Sequence, residues 1–206
     1  FADAAAMRDA RRQALADEFG LDPGMPWLLS VAMMRAGDKA ASYRFLGQSL
    51  ASLEGKPWSL IVVGDGEARA DVEQALGAFT GKVCYVGEQP ASSLPRFYGA
   101  CDLFVWPAVN EAMGMAMLEA QAAGLPVIAG RSGGVSAIVR DGETGVLVPP
   151  GDVPAFAAAV SNLLDNPGQR AAMRTAAQDL VLRENGLDAA ARRLDQILRR
   201  AAREHR

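Results

Sequence analysis

Histidine is almost missing from this 206-residue chain: the single one, His205, sits beside the C-terminus in a charged segment. Serine-histidine-aspartate triads, cysteine-histidine pairs and histidine-rich metal sites all need an imidazole inside the fold, so these chemistries are excluded. Any catalysis must run on carboxylates, cations and backbone dipoles. Cysteine is nearly as scarce. Cys84 and Cys101 lie in apolar, strand-like runs, where a thiol behaves as a small hydrophobe, and they read as reduced core residues of a cytoplasmic protein. Positive charge is not in excess either. A formal net charge of −3 gives no general attraction to nucleic acid, which needs many clustered cations. No run approaches the roughly 20 apolar residues of a membrane span. Residues Phe1 to Arg12 carry no signal-peptide pattern, and the chain does not open with methionine, so a fragment of a longer protein is expected.

What is present is ample apolar material, 50% of the residues, in short runs that alternate with helical patterns. The runs Trp27 to Met33, Trp58 to Val63, Val83 to Val86, Leu103 to Trp106, Pro126 to Ala129 and Gly145 to Val148 read as strands. The spacers, at about Ala40 to Leu53, Glu67 to Phe79, Ser92 to Ala100, Gly114 to Ala123 and Ser136 to Arg140, each hold one crossover helix. This predicts an α/β fold: a Rossmann-like, doubly wound parallel sheet of about six strands, followed from Asp152 by an all-helical C-terminal segment. Residues 24–185 form the domain on this reading. Residues 186–206 form an amphipathic helix, with Leu194, Ile197 and Leu198 at helical spacing among six arginines. Its ordinary use is a solvated face packed on its own or a neighbouring domain; a membrane-surface role is the other option.

In such a fold ligands bind beyond the carboxyl ends of the strands. The loops there collect glycine and charge: Arg35-Ala36-Gly37-Asp38-Lys39 after the first strand, Gly64-Asp65-Gly66 after the second, Gly87-Glu88 after the third, Asn110 to Gly114 after the fourth and Gly130 to Gly134 after the fifth. The segment Glu111-Ala112-Met113-Gly114-Met115-Ala116-Met117-Leu118-Glu119 sets one carboxylate before a helix and another two turns inside it. Gly114 permits close approach, and the amides of the first turn, around Gly114 to Met117, suit a diphosphate. Glu119 is flanked at helical spacing by Met115, Ala116, Ala122 and Ala123, an apolar setting in which a carboxylate needs a partner; a ribose diol would serve. Lys39 and Arg35 could neutralise the phosphates from the opposite side. Each feature has a plainer account: a solvated glutamate, a first-turn carboxylate favouring the helix dipole, ordinary loop cations, a tight glycine turn. Gly64-Asp65-Gly66 is no dinucleotide fingerprint, because Arg69 stands where the third glycine belongs.

Taken together these residues resemble the C-terminal domain of family 4 (group 1) retaining glycosyltransferases of the GT-B type, over nearly the whole chain. The most specific element is Asn110 to Val127, which is similar to the family's E-x7-E motif and the strand after it. Val62 to Gly66, Leu94 to Val105, Gly133-Gly134-Val135 and Asp141 to Asp152 also match. The resemblance implies that Glu111 contacts hydroxyls of the donor sugar, that amides near Met113, Gly114 and Met115 hold the diphosphate, that Glu119 holds the ribose and that the base lies near Gly64 and against backbone at Val86 and Gly87. It implies no cofactor and no metal, a UDP-, GDP- or ADP-sugar donor, and departure of the diphosphate assisted by Lys39 and Arg35 with retention through same-face attack. It implies a separate N-terminal acceptor-binding domain absent from this sequence, with residues 1–23 as the segment leaving it, so that the chain binds a donor without transferring it. Peripheral membrane association of the full-length enzyme would fit a lipid-linked acceptor. Two departures stand out: Met34 occupies the position of the family's arginine, with Arg35 adjacent, and Ala40 follows the lysine where the family has glycine. A GT-B-like sugar-nucleotide epimerase and a non-catalytic Rossmann-like binding module remain the alternatives.

Overall fold

The structure, a computed structural model, describes residues 7–204; the first six residues of the expected linker, His205 and Arg206 lie outside the described residues. Six strands, β1 (Trp27–Val31), β2 (Ser59–Val63), β3 (Val83–Tyr85), β4 (Leu103–Trp106), β5 (Val127–Gly130) and β6 (Gly145–Val148), form one sheet in the order β3-β2-β1-β4-β5-β6. Every pairing is parallel. Parallel strands covered by helices on both faces must be apolar throughout, and Leu28, Leu29, Ile61, Val62, Phe104, Val105 and Ile128 are all fully buried.

The crossovers are α2 (Asp38–Ala51), α3 (Arg69–Leu76), α4 (Leu94–Ala100), α5 (Met115–Ala122) and the short α6 (Val135–Ile138). The expected helix to Phe79 ends sooner, at Leu76, and tightens into a 3₁₀ turn over Gly77–Phe79. The first strand likewise stops at Val31 rather than Met33, because the β1 loop must turn beneath Gly64 and Gly66: a Cβ on either glycine would lie 2.0 and 2.3 Å from the carbonyls of Ala32 and Met34.

Beyond β6 come α7 (Val153–Asp165), α8 (Pro167–Leu180), a π turn at Val181–Asn185 and α9 (Leu187–Glu204). The Asp152 carboxylate accepts from the Ala155 amide at 2.9 Å and caps the start of α7, where Pro154 occupies the first turn. Leu194, Ile197 and Leu198 on α9 are exposed, so this apolar stripe does not pack on its own domain.

Part of the stretch expected as a linker is a helix, α1 (Arg8–Phe19), and Leu15 within it is fully buried. Arg8 and Arg12 tie it down. They donate to the two oxygens of Asp102 at 2.6 and 3.1 Å and to the carbonyls of Cys101 and Ala100, where cations meet the C-terminal end of α4. Asp102 also accepts from the Trp27 amide at the start of β1. Cys101 is buried and Cys84 half-buried, and both are free thiols.

Candidate functional site

The strand order runs outward from β1 through β2 to β3, then returns to β4 and continues the other way. The sheet therefore has its topological switch point between β1 and β4, where an open parallel sheet leaves a crevice beyond the strand ends. Two adjoining clefts occupy this edge and share Val31, Ala32 and Met33. One, of about 450 Å³, is lined further by Met34, Arg35, Gly64 to Glu67, Glu88, Gln89 and Leu94. The other, of about 380 Å³, is lined by Lys39, Trp106 and Glu111 to Met117 and sits at the switch point itself.

Lys39 and Glu111, separated by 72 positions in the chain, meet in the second cleft: Nζ lies 2.6 Å from Oε2, and both side chains are largely screened from solvent. Lys39 is placed by the first turn of α2 and Glu111 by the loop after β4. The Trp106 indole N–H donates to the same Glu111 oxygen at 3.1 Å, and the Lys39 ammonium lies 5.3 Å from the Trp106 ring centroid.

The loop bearing Glu111 is strained and clamped. Ala108 and Asn110 adopt left-handed backbone, φ 57° and 51°, a conformation that costs a non-glycine residue about 1–2 kcal/mol and persists only where the surroundings impose it. The Ser42 hydroxyl accepts from the Val109 amide at 3.0 Å, Asn110 Nδ2 donates to Asp38 at 2.9 Å, and the Ser132 hydroxyl accepts from the Glu111 amide at 3.2 Å. The loop after β5 packs beneath it. Added Cβ atoms at Gly130, Gly133 and Gly134 would meet the carbonyls of Pro107, Glu111 and Ala112 at 2.2, 1.9 and 2.5 Å, so this glycine run lets one loop template the other.

Gly114 caps α5 in the left-handed region, φ 73°. Its carbonyl accepts from Met117 and Leu118, so the amides left without helical partners are those of Gly114, Met115 and Ala116, one fewer than the expected Gly114 to Met117. This helix start borders the cleft, with the exposed side chains of Met113 and Met115 at its mouth.

Glu119, one turn further along, accepts a hydrogen bond from the buried Tyr98 hydroxyl at 2.9 Å and lines neither cleft. Burial, then the adjacent Glu119 charge, pushes the Tyr98 phenol far above its ordinary value. The tyrosine thus supplies the partner that an apolar setting demands for a carboxylate.

Other expected residues fall elsewhere. Arg35 is exposed and lines the first cleft, whereas Lys39 lines the second. Met34, where the family has arginine, is fully buried. Gly64 serves the close approach to Ala32 and donates to the Gly87 carbonyl. The Val86 amide donates to Val62, and its carbonyl accepts from Gln89 Nε2 at 2.7 Å; Glu88 and Gln89 face the cleft instead. Among the described residues no group of three His, Cys, Asp or Glu side chains is placed to hold a metal.

Sequence reasoning passed over Trp106, Tyr98, Ser42 and Ser132. Trp106 lies at the end of a strand and Tyr98 within the Leu94 to Val105 stretch, but neither position shows in sequence what its side chain faces.

The family model described as "Glycosyl transferases group 1" matches residues 26–166. Alpha-D-kanosaminyltransferase of Streptomyces kanamyceticus is 32% identical over 193 residues, covering 93% of this chain and 50% of that protein. HepE of Anabaena, solved in complex with UDP-glucose, superposes with a TM-score of 0.79 at 20% identity over 92% of this chain and 52% of its own. The C-terminal domain of the Francisella tularensis group 1 glycosyl transferase LpcC superposes with a TM-score of 0.72 at 22% identity, covering 86% of this chain and 93% of that domain. The chain thus spans about half the length of the kanosaminyltransferase. With the doubly wound fold, the Lys39–Glu111 pair at its switch point and a family match that spans all six strands, the chain belongs to the group 1 glycosyl transferases.

Proposed function

We propose that this chain is the donor-binding half of a retaining glycosyltransferase that moves a sugar from a nucleoside diphosphate to an acceptor hydroxyl, the other half of the protein supplying the acceptor pocket. One observation carries the reading: an ammonium, a carboxylate and the open start of a helix line a single cleft at the switch point. A diphosphate needs the first and third, and a sugar hydroxyl needs the second. Membership of a transferase family supports transfer over epimerisation or a non-catalytic role. The UDP-glucose complex of HepE supports a nucleotide sugar as ligand class.

In this mechanism the bond between the sugar's anomeric carbon and the phosphate oxygen breaks, and the electron pair stays on the diphosphate. Lys39 and the Met115 and Ala116 amides stabilise that developing charge, an electrostatic contribution aimed at the transition state. Glu111 orients the sugar. The acceptor oxygen bonds on the same face and its proton passes to the departing phosphate. Arg35, on the rim of the adjoining cleft, reaches the donor's nucleotide side, and Glu119, oriented by Tyr98, holds the ribose. The reaction requires no metal. Action at the cytoplasmic membrane face, through the exposed stripe of α9, completes the proposal.

Titration calorimetry with UDP, GDP, ADP and their glucose conjugates tests it. Saturable binding of one series, abolished by Lys39→Ala, is expected. A folded chain that binds none of the six ligands refutes the donor site.

A further inference from the structure

Both hydrogen bonds to the Glu111 carboxylate fall on one oxygen. Lys39 Nζ and Trp106 Nε1 each reach Oε2, at 2.6 and 3.1 Å, and among the described residues none donates to Oε1. The indole that makes the second bond is itself immobile. Trp106 is the last residue of β4, 3% exposed, and the buried Tyr43 packs edge-on against its ring at 5.0 Å and 79°. Tyr43 in turn donates to the Ala32 carbonyl at 3.1 Å, in the loop that borders both clefts. The aromatic pair thus joins the β1 and β4 loops at the switch point, and its N–H and ring face address the two charged groups separately: the N–H holds the carboxylate, and the face attracts the ammonium.

We infer that Trp106 is a positioning residue for recognition of the donor sugar: its indole N–H fixes Oε2 of Glu111 so that Oε1 is presented to a sugar hydroxyl, while its ring steers Lys39 towards the diphosphate. A phosphate group draws Lys39 away from Glu111, and a carboxylate left with no donor would lose both orientation and compensation for its partial burial. Trp106 keeps one fixed bond in place through that exchange. The inference rests on the donor-site reading above and adds to it a nearly buried residue of the cleft wall that acts through Glu111 and Lys39.

The test compares the nucleoside diphosphate and its glucose conjugate that bind the wild-type chain, in calorimetric titrations of wild type, Trp106→Phe and Trp106→Leu. Phenylalanine keeps a ring face and removes the N–H, so affinity for the glucose conjugate should fall about tenfold or more while affinity for the nucleoside diphosphate changes less than about twofold. Leucine removes both features, and both ligands should weaken. Parallel losses for the two ligands in Trp106→Phe would mark a merely structural role and overturn the inference. A second measurement does not need the tryptophan variants to fold. The sequence has three indole N–H groups, on Trp27, Trp58 and Trp106, and Glu111→Gln should shift a single indole resonance in a ¹⁵N correlation spectrum. Three unmoved resonances would equally overturn it. A wild-type chain that binds no nucleotide sinks the donor site itself and the inference with it, an outcome distinct from normal wild-type binding with an indifferent Trp106→Phe.

Discussion

Replacing Gly133 by alanine separates the templating of the Glu111 loop from the stability of the domain. The new Cβ would stand 1.9 Å from the Glu111 carbonyl oxygen and 3.0 Å from its carbon, against a floor of 3.0 Å for real Cβ contacts, so the two loops must part by about 1 Å. The obstacle is backbone, not a side chain that could swing away. Gly133 also has φ 49°, so alanine there costs about 1–2 kcal/mol of conformational strain. At about 2–4 °C per kcal/mol for a chain of this length, strain alone lowers Tm by several degrees. The larger effect falls on the ligand. A carboxylate displaced by about 1 Å exceeds the roughly 0.5 Å tolerance of a binding constellation, and losing one charge-assisted hydrogen bond, about 1.5–3 kcal/mol, raises Kd tenfold or more. Gly142→Ala is the matched control: its φ is 77°, with nothing within 4 Å of the added Cβ. It carries similar strain and no displacement. Thermal denaturation and calorimetric titration of both variants decide the matter. If Gly133→Ala binds the nucleotide sugar as well as Gly142→Ala does, the templating argument is wrong.

Other expectations follow from the same contacts. Asp102→Ala leaves Arg8, Arg12 and the Trp27 amide without their shared acceptor; breaking such a partly buried pair costs about 3–5 kcal/mol, and Tm should drop by about 10 °C with α1 becoming sensitive to trypsin. A fall under about 2 °C would show that α1 is held by its apolar face alone. Tyr98 has a raised folded-state pKa, so its contribution is complete below the ordinary value of 10.0 and is lost as pH climbs above it, where the unfolded phenol ionises and the buried one does not. Tm should therefore decline above pH 10, less steeply in Tyr98→Phe; Tyr43, shifted upward by burial as well, maintains part of the slope. Identical slopes would contradict this assignment. Finally, excess EDTA should leave donor affinity unchanged, and a fall in affinity restored by a divalent cation would overturn the metal-independent mechanism.

The fold class was legible in the sequence because a parallel sheet buried on both faces writes itself as short apolar runs, and because the glycine-rich, charged loops all follow strand ends. The placement of the crossover helices and of the helical tail came from that local pattern, and the choice of Glu111, Gly114 and Lys39 as candidates came from the motif it contains. Helix α1 was not legible: its packing depends on Leu15 and on two arginines meeting Asp102 some 90 residues away, and its helical signal alone resembled a polar connecting segment. The separation of Arg35 from Lys39, four residues apart in sequence, was likewise decided by the fold, since the turn into α2 sends them to different clefts. Tyr98 beneath Glu119, Ser132 against the Glu111 amide and Trp106 behind the ion pair share one cause. Side chains on separate strands and helices become neighbours only when the sheet order is set, and β1 beside β4 is a pairing that connects residues more than 70 positions apart. Local sequence supplied the charged groups, and tertiary structure determined which of their atoms face one another.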